Sequence, residues 1–215
     1  MGNETKPIYI QDSVYGFWRQ QNPRPFDYSV AYKSTQSTTE SMCWLRLGFL
    51  ASYIPPSQFA QLDVCDVGSG NDTFVHNFKH LFRRLCGYDL AGESISKEML
   101  YGTLWDVVFL TDVLEHFEDI EDLFKISWRC LLLSFPETPA DCATQQQLEQ
   151  WKHYKPDEHI WCLNARGMIQ WFNDHNCEVI RTGDLEDLIR RPPNNLDVNI
   201  TTMIVKNNRY SSGVV

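Results

Sequence analysis

Leu62-Asp63-Val64-Cys65-Asp66-Val67-Gly68-Ser69-Gly70 is the stretch that decides the fold. An apolar run enters a pair of glycines and then meets an amphipathic stretch over 73–82. The pattern predicts a buried strand, a tight turn and a helix. Glycine at 68 and 70 permits backbone angles that a Cβ forbids, and lets a ligand approach the main chain. Asp66 narrows the choice of ligand. A carboxylate at the mouth of such a turn repels a pyrophosphate and attracts a group that carries an ammonium.

Composition bounds the rest. A chain of 215 residues, 43% hydrophobic and 13% aromatic, has enough apolar matter for one α/β domain with short decorations. A net charge of −9 argues against general electrostatic coating of nucleic acid. Seven cysteines without a C-x-x-C pair suggest reduced, buried thiols and a cytoplasmic location. The opening Met1-Gly2-Asn3-Glu4-Thr5-Lys6 has no apolar core and does not read as a signal peptide. No run approaches the roughly 18 apolar residues that span a bilayer.

Residues 1–37 are aromatic and polar without a clear period, and Pro23 and Pro25 forbid a long helix. Such an arm is either a lid over a pocket or a segment packed onto the domain through its aromatics. The main domain is expected over 38–207, with a frayed tail over 208–215. Within it, Thr38 or Thr39 caps a helix through Tyr53, with Met42, Leu45, Phe49, Leu50 and Tyr53 on one face. A second strand at 84–89 ends on Asp89. In an open parallel sheet that carboxylate lies beside the first turn, where it can accept hydrogen bonds from ribose hydroxyls.

The interval after Asp89 is short, so a further strand there is short or absent, around 94–96. The next strand, 105–110, runs into Asp112-Val113-Leu114-Glu115-His116. If the chain turns helical at Asp112, positions i, i+3 and i+4 share one face. Two carboxylates and an imidazole then project together at the carboxyl end of a central strand, where open α/β sheets place ligands. A short helix over 120–128, a strand over 130–135 and a polar insert over 137–150 follow. The stretch Trp151-Lys152-His153-Tyr154-Lys155-Pro156-Asp157-Glu158-His159-Ile160-Trp161 is too polar for a core strand. It reads as a loop over the same edge, offering His153 or His159 as a base or ligand. Lys152 and Lys155 there suit an anionic or planar substrate. The competing reading leaves both histidines satisfied by Asp157 and Glu158. A helix over 163–173 capped by Asn164 and two β-rich runs, 177–181 and 200–205, complete the domain. Between the runs Arg190 and Arg191 are either a substrate clamp or a surface pair.

Asp66-Val67-Gly68-Ser69-Gly70 resembles motif I of the class I S-adenosylmethionine-dependent methyltransferases, acidic-x-Gly-x-Gly, with Asp72 where a third glycine is usual. Asp112–His116 resembles the tract after the fourth strand in the ubiquinone-biosynthesis O-methyltransferases. It also resembles the E-x-x-E-H tract of the small-RNA 3′-end 2′-O-methyltransferases, with Asp112 in place of the first glutamate. The resemblance implies an α/β, Rossmann-like methyltransferase fold. Its central sheet is mostly parallel with an antiparallel last strand, and helices cover both faces. It implies cofactor contacts from Asp66, Gly68, Ser69, Gly70, Asp89, Leu90, Thr111 and Asp112. Catalysis would rest on Asp112, His116 and His153. A divalent metal (Mg, Mn, Fe or Zn) would fall to Glu115, His116 and His159.

The expected activity is methyl transfer from S-adenosylmethionine to a hydroxyl of a small or sugar-like acceptor. A nucleic-acid end is disfavoured by the net charge, and no membrane partner is expected. Two alternatives stand beside it. One is a non-catalytic scaffold that keeps the fold. The other is an NAD(P)-dependent oxidoreductase, whose glycine fingerprint is incomplete here.

Overall fold

The computed structural model describes residues 7–23, 36–90, 95–190 and 197–210. Strands β1 (Tyr9–Gln11) and β2 (Trp18–Gln20) precede helix α1 (Gln36–Ala51). Strand β3 (Asp63–Val67), helix α2 (Thr73–Phe78) and strand β4 (Arg84–Tyr88) form the first unit. Helix α3 (Lys97–Gly102), β5 (Leu104–Thr111) and β6 (Ser127–Pro136) follow. Then come α4 (Gln145–Leu148), β7 (Trp161–Cys162), α5 (Ala165–Asp174), β8 (Cys177–Gly183), α6 (Asp187–Arg190) and β9 (Ile200–Asn207).

Six strands build the main sheet in the order β4-β3-β5-β6-β9-β8. The pairs β3–β4, β3–β5 and β5–β6 are parallel, while β9 runs antiparallel to β6 and β8. Helices cover both faces, which explains why β5 reads as an unbroken apolar run. Val108 and Leu110 pack one face with Trp171 and Phe172 of α5. Val107 and Phe109 pack the other with Leu47 and Leu50 of α1 and Phe74 and Phe78 of α2. Each such side chain contributes roughly 1.5–3 kcal/mol by leaving water. No helix among the described residues is long and apolar enough to cross a membrane.

Of the two alternatives for the interval between β4 and β5, a short strand or none, the described residues show no strand; α3 lies there, capped by Ser96, which accepts from the Met99 N–H. Other local expectations change. No helix starts at Asp112. Asp112 is left-handed, with φ 57°, and a single 3-10 turn, Leu114–His116, follows. The helix expected over 120–128 is a 3-10 turn, Ile120–Lys125, and Trp128 already belongs to β6. The inner face of α1 carries Cys43, Leu47 and Leu50, so the apolar stripe is rotated from the expected one and brings Arg46 inward.

The arm also differs. Residues 7–23 hold two unexpected short strands: β1 and β2 pair with each other, and β2 pairs with β7, in a separate three-stranded sheet, while Phe17 packs into the main core. Phe26, Tyr28 and Tyr32 of the arm lie outside the described residues, as does Arg191.

Candidate active site

The glycine turn after β3 is held by its neighbour strand. Gly68 N–H and Ser69 N–H both donate to the Tyr88 carbonyl, at 2.7 and 3.2 Å. Gly68 has φ 74° and Gly70 φ 57°, so both need glycine's freedom. A Cβ on Gly68 would fall 2.2 Å from Val113 Cγ2, so the turn after β5 rests directly on it. Gly70 N–H donates to Asp89 Oδ2 at 2.9 Å, which fixes the acid closing β4 against the turn.

Asp72, standing where the family has a third glycine, is left-handed too, with φ 57°. Its carboxylate and the Ser69 side chain fill the space above Gly87: a Cβ there would lie 2.1 Å from Asp72 Oδ1 and 2.6 Å from Ser69 Oγ. A glycine inside β4 therefore makes room for the departure at 72. Asp66 lies behind the turn, 7% exposed. Burial pushes its carboxyl up to about 7; Arg46 opposes the rise, and Asp72 and Asp89 reinforce it.

Asp112 is engaged by two arginines. Arg46 Nη2 donates to its Oδ2 at 2.9 Å, and Arg190 Nη1 donates to the same oxygen at 2.7 Å. Glu186, its side chain fully buried, receives Arg46 Nε at 2.7 Å and Arg190 Nη1 at 2.9 Å. Burial works against the Asp112 charge, but Arg190 and Arg46 outweigh it and hold the carboxyl below its ordinary value. Such a carboxylate is a counter-ion and a poor proton acceptor. Arg190 thus belongs to an ion cluster built on the buried Glu186 together with half-buried Arg46 and Asp112; local sequence pattern singles out neither Arg46 nor Glu186.

Glu115, His116 and His159 come together instead, with one ligand-type atom of each within 4.8 Å of the others. The 3-10 turn supplies the first two, and the loop 151–160 brings the third. Ile160 N–H donates to the Glu115 carbonyl at 2.9 Å and ties the two segments. His116 Nδ1 donates to the Glu158 carbonyl at 2.8 Å, which leaves the lone pair on Nε2. The His116 and His159 rings meet edge to face at 5.0 Å. Glu115 is 2% exposed and His159 3%. Neither Glu115 carboxyl oxygen has a hydrogen-bond partner among the described residues, nor does His159 Nδ1.

Burial sets the protonation of this group. It holds His116 below its ordinary value, partly offset by the Glu158 carbonyl. It pushes His159 down to about 3, with His116 and Lys155 adding to the effect. Burial, reinforced by Asp112, raises Glu115 well above the usual carboxyl range. His153 Nε2 meets Asn199 Oδ1, and burial depresses its pKa as well.

A cleft of about 730 Å³ joins the two halves. Of the expected residues, Gly68, Asp89, Leu90, Thr111, Asp112, Glu115, His116, His153 and His159 line it. Asp66, Ser69 and Gly70 stand outside its lining. Gln20 of the arm, together with Tyr88 and Tyr101, adds walls that no motif announces. Lys155 is paired with Glu158 at 3.1 Å.

A family model described as methyltransferase domain matches residues 45–182. The chain belongs to the methyltransferase-domain family. This methyltransferase shares its fold with magnesium protoporphyrin IX methyltransferase from Synechocystis PCC 6803. The form solved with bound SAH is 13% identical, with a TM-score of 0.54 over 86% of this chain and 90% of that one. The form with bound SAM is 15% identical, with a TM-score of 0.50 over 86% of each chain. Comparison with curated protein sequences gives no match. Membership of that family makes the protein a methyltransferase, and the oxidoreductase alternative falls.

Proposed function

We propose that this methyltransferase acts on a hydroxyl oxygen of a small or sugar-like acceptor, with His116 Nε2 taking the hydroxyl proton. The carrying observation is the group of buried Glu115, buried His159 and half-buried His116, which lines the same cleft as Gly68 of the glycine turn. The turn suits S-adenosylmethionine, because its backbone has no Cβ at Gly68 or Gly70 and Asp89 is fixed beside it. When bound, S-adenosylmethionine supplies a methyl on a sulfonium, already an active donor.

The residues therefore have to hold the acceptor and remove its proton. An aromatic amine, unprotonated near pH 7, needs no base before attack, whereas a hydroxyl has to give up its proton to become a good nucleophile. His116, kept below its ordinary pKa, is neutral near pH 7 and can accept that proton. Its Nδ1 bond to Glu158 fixes which nitrogen does so. Charge also guides the acceptor class. Of the lysines and arginines that line the cleft, Lys155 and Arg190 are committed to Glu158 and to Asp112 and Glu186, and Lys97 lies over the Tyr101 ring. That arrangement favours a neutral polyol over an anionic or nucleic-acid acceptor.

The test is calorimetry with S-adenosylmethionine, then a product assay on a panel of methyl glycosides, sugar phosphates and oligonucleotides. Methyl glycosides should turn over. His116→Ala should keep cofactor affinity and lose roughly 10²–10⁴ in kcat. Cofactor binding without turnover on any panel member would instead favour a scaffold.

A second reading has its own observation. A buried carboxylate and the Nδ1 of a buried imidazole, neither with a hydrogen-bond partner among the described residues, lie within reach of a second imidazole and fit a divalent cation on Glu115, His116 and His159. Such an ion would supply Lewis acidity toward the acceptor oxygen. Metal content of the purified protein, and Mn²⁺ titration of wild type against Glu115→Gln, decide between the readings. Equal heats in both proteins would remove the metal.

A further inference from the structure

We infer that Tyr9 and Arg19, both from the arm, are positioning residues for the Glu115–His116–His159 group. The inference rests on the proposed role of that group. Tyr9 is 4% exposed, and its hydroxyl donates to the His159 carbonyl at 2.6 Å. Its own N–H donates to Gln145 Oε1, and Gln145 Nε2 returns a bond to the Pro7 carbonyl, so β1 is anchored on α4. Tyr9 therefore ties the His159 backbone to a fixed strand.

Arg19 works on the other segment. Its Nη2 donates to the Glu118 carbonyl at 3.1 Å, and its guanidinium lies 5.0 Å from the Trp161 ring centroid. Trp161 in turn donates through Nε1 to the Phe117 carbonyl at 2.9 Å. Between the two residues, Gln20 N–H donates to the Ile160 carbonyl at 2.8 Å. These bonds land on 117–118 and 159–161, the flanks of the two segments that supply the catalytic group. The arm is thus a fixed wall of the acceptor half, bridging two segments more than 40 positions apart in sequence. The cofactor turn is held separately, by Tyr88 and Asp89.

This separation makes a sharp test. Tyr9→Phe removes only the hydroxyl and keeps the ring, and Arg19→Ala is the second variant. Ring ¹⁵N signals of histidine-labelled protein should move at His159 and His116 in Tyr9→Phe. Those of His76 and His80, on and just after α2, should stay in place. Affinity for S-adenosylmethionine should remain within about twofold of wild type. On a methyl glycoside that wild type accepts, kcat should fall about tenfold or more with the cofactor KM unchanged. Unmoved His159 and His116 signals in both variants would overturn the positioning role. Absence of turnover by wild type on every glycoside would overturn the acceptor reading instead, and the ring signals would still decide this one.

Discussion

Arg190 Nη1 stands 2.7 Å from Asp112 Oδ2, and the residue it grips has a left-handed backbone, with φ 57°. The two facts belong together. Asp112 directly follows β5 and starts the turn that carries Glu115 and His116, so an ion pair on its side chain pins the geometry of that turn. Arg46 completes the cluster from α1, reaching both Asp112 and the fully buried Glu186. Breaking a buried pair leaves an uncompensated charge, at a cost of about 3–5 kcal/mol. Arg46→Ala should lose stability of that order in urea unfolding. Arg190→Ala should in addition lower kcat, because it removes the guanidinium that grips Asp112 at the start of the turn carrying His116. Unfolding midpoints equal to wild type would show that the cluster is not a structural bolt.

The Asp66 carboxyl gives a pH dependence with a definite sign. Its pKa is about 7 in the fold and near 3.9 in an unfolded chain. The folded state thus binds the proton more readily between those values. The stability it contributes is fully present below about pH 4 and is lost as pH rises through about 7. Three pKa units correspond to an effect on the order of 4 kcal/mol. Asp66→Asn keeps the volume and removes the titration. The variant should gain stability over wild type at pH 8 and show little difference at pH 4. Denaturant unfolding at the two values checks it, and a difference that does not vary with pH would mean that Asp66 does not titrate in this range.

The sheet is legible in the sequence wherever burial on both faces leaves an uninterrupted apolar run, as in β5 and β6. The arm's strands are not, because three residues are too few to show a period; they are strands through pairing, β1 with β2 and β2 with β7, some 140 positions on. The same limit governs the site. Glu115 and His116 are neighbours in the chain, and His159 lies in a stretch too polar to read as a core strand. Asp112 misleads, since i, i+3 spacing aligns it with Glu115 only on a helix, and its positive φ turns it toward Arg46 and Arg190. Those partners sit 66 and 78 positions away, and no local pattern links them.

Gly68 bears on the cofactor half. An alanine there adds a Cβ 2.2 Å from Val113 Cγ2 at φ 74°. The left-handed backbone alone costs roughly 1–2 kcal/mol for an L-residue, and the contact forces the 112–116 turn to shift. Gly68→Ala should weaken S-adenosylmethionine binding severely and lower the thermal midpoint. Adding Val113→Ala should recover part of the midpoint, because the nearest methyls are gone while the strain remains. No recovery in the double variant would place the damage elsewhere than at this contact.

Gly87 and Asp72 should behave as a coupled pair. Gly87 lies in β4, where glycine is ordinarily a weak strand former, yet a Cβ there would meet Asp72 Oδ1 at 2.1 Å and Ser69 Oγ at 2.6 Å. Gly87→Ala must therefore push both side chains out of the turn, and should reduce cofactor affinity together with stability. Asp72→Gly relieves the tighter of the two contacts and places glycine at a left-handed position that suits it. Alone it should be neutral or stabilising. In the double variant the loss caused by Gly87→Ala should shrink, with an interaction energy of about 0.5–3 kcal/mol. A double-mutant cycle on urea unfolding, with S-adenosylmethionine calorimetry on the same four proteins, measures it. Strict additivity would mean that the Asp72 carboxylate does not occupy the space over Gly87, and that the departure from the third glycine is accommodated in some other way.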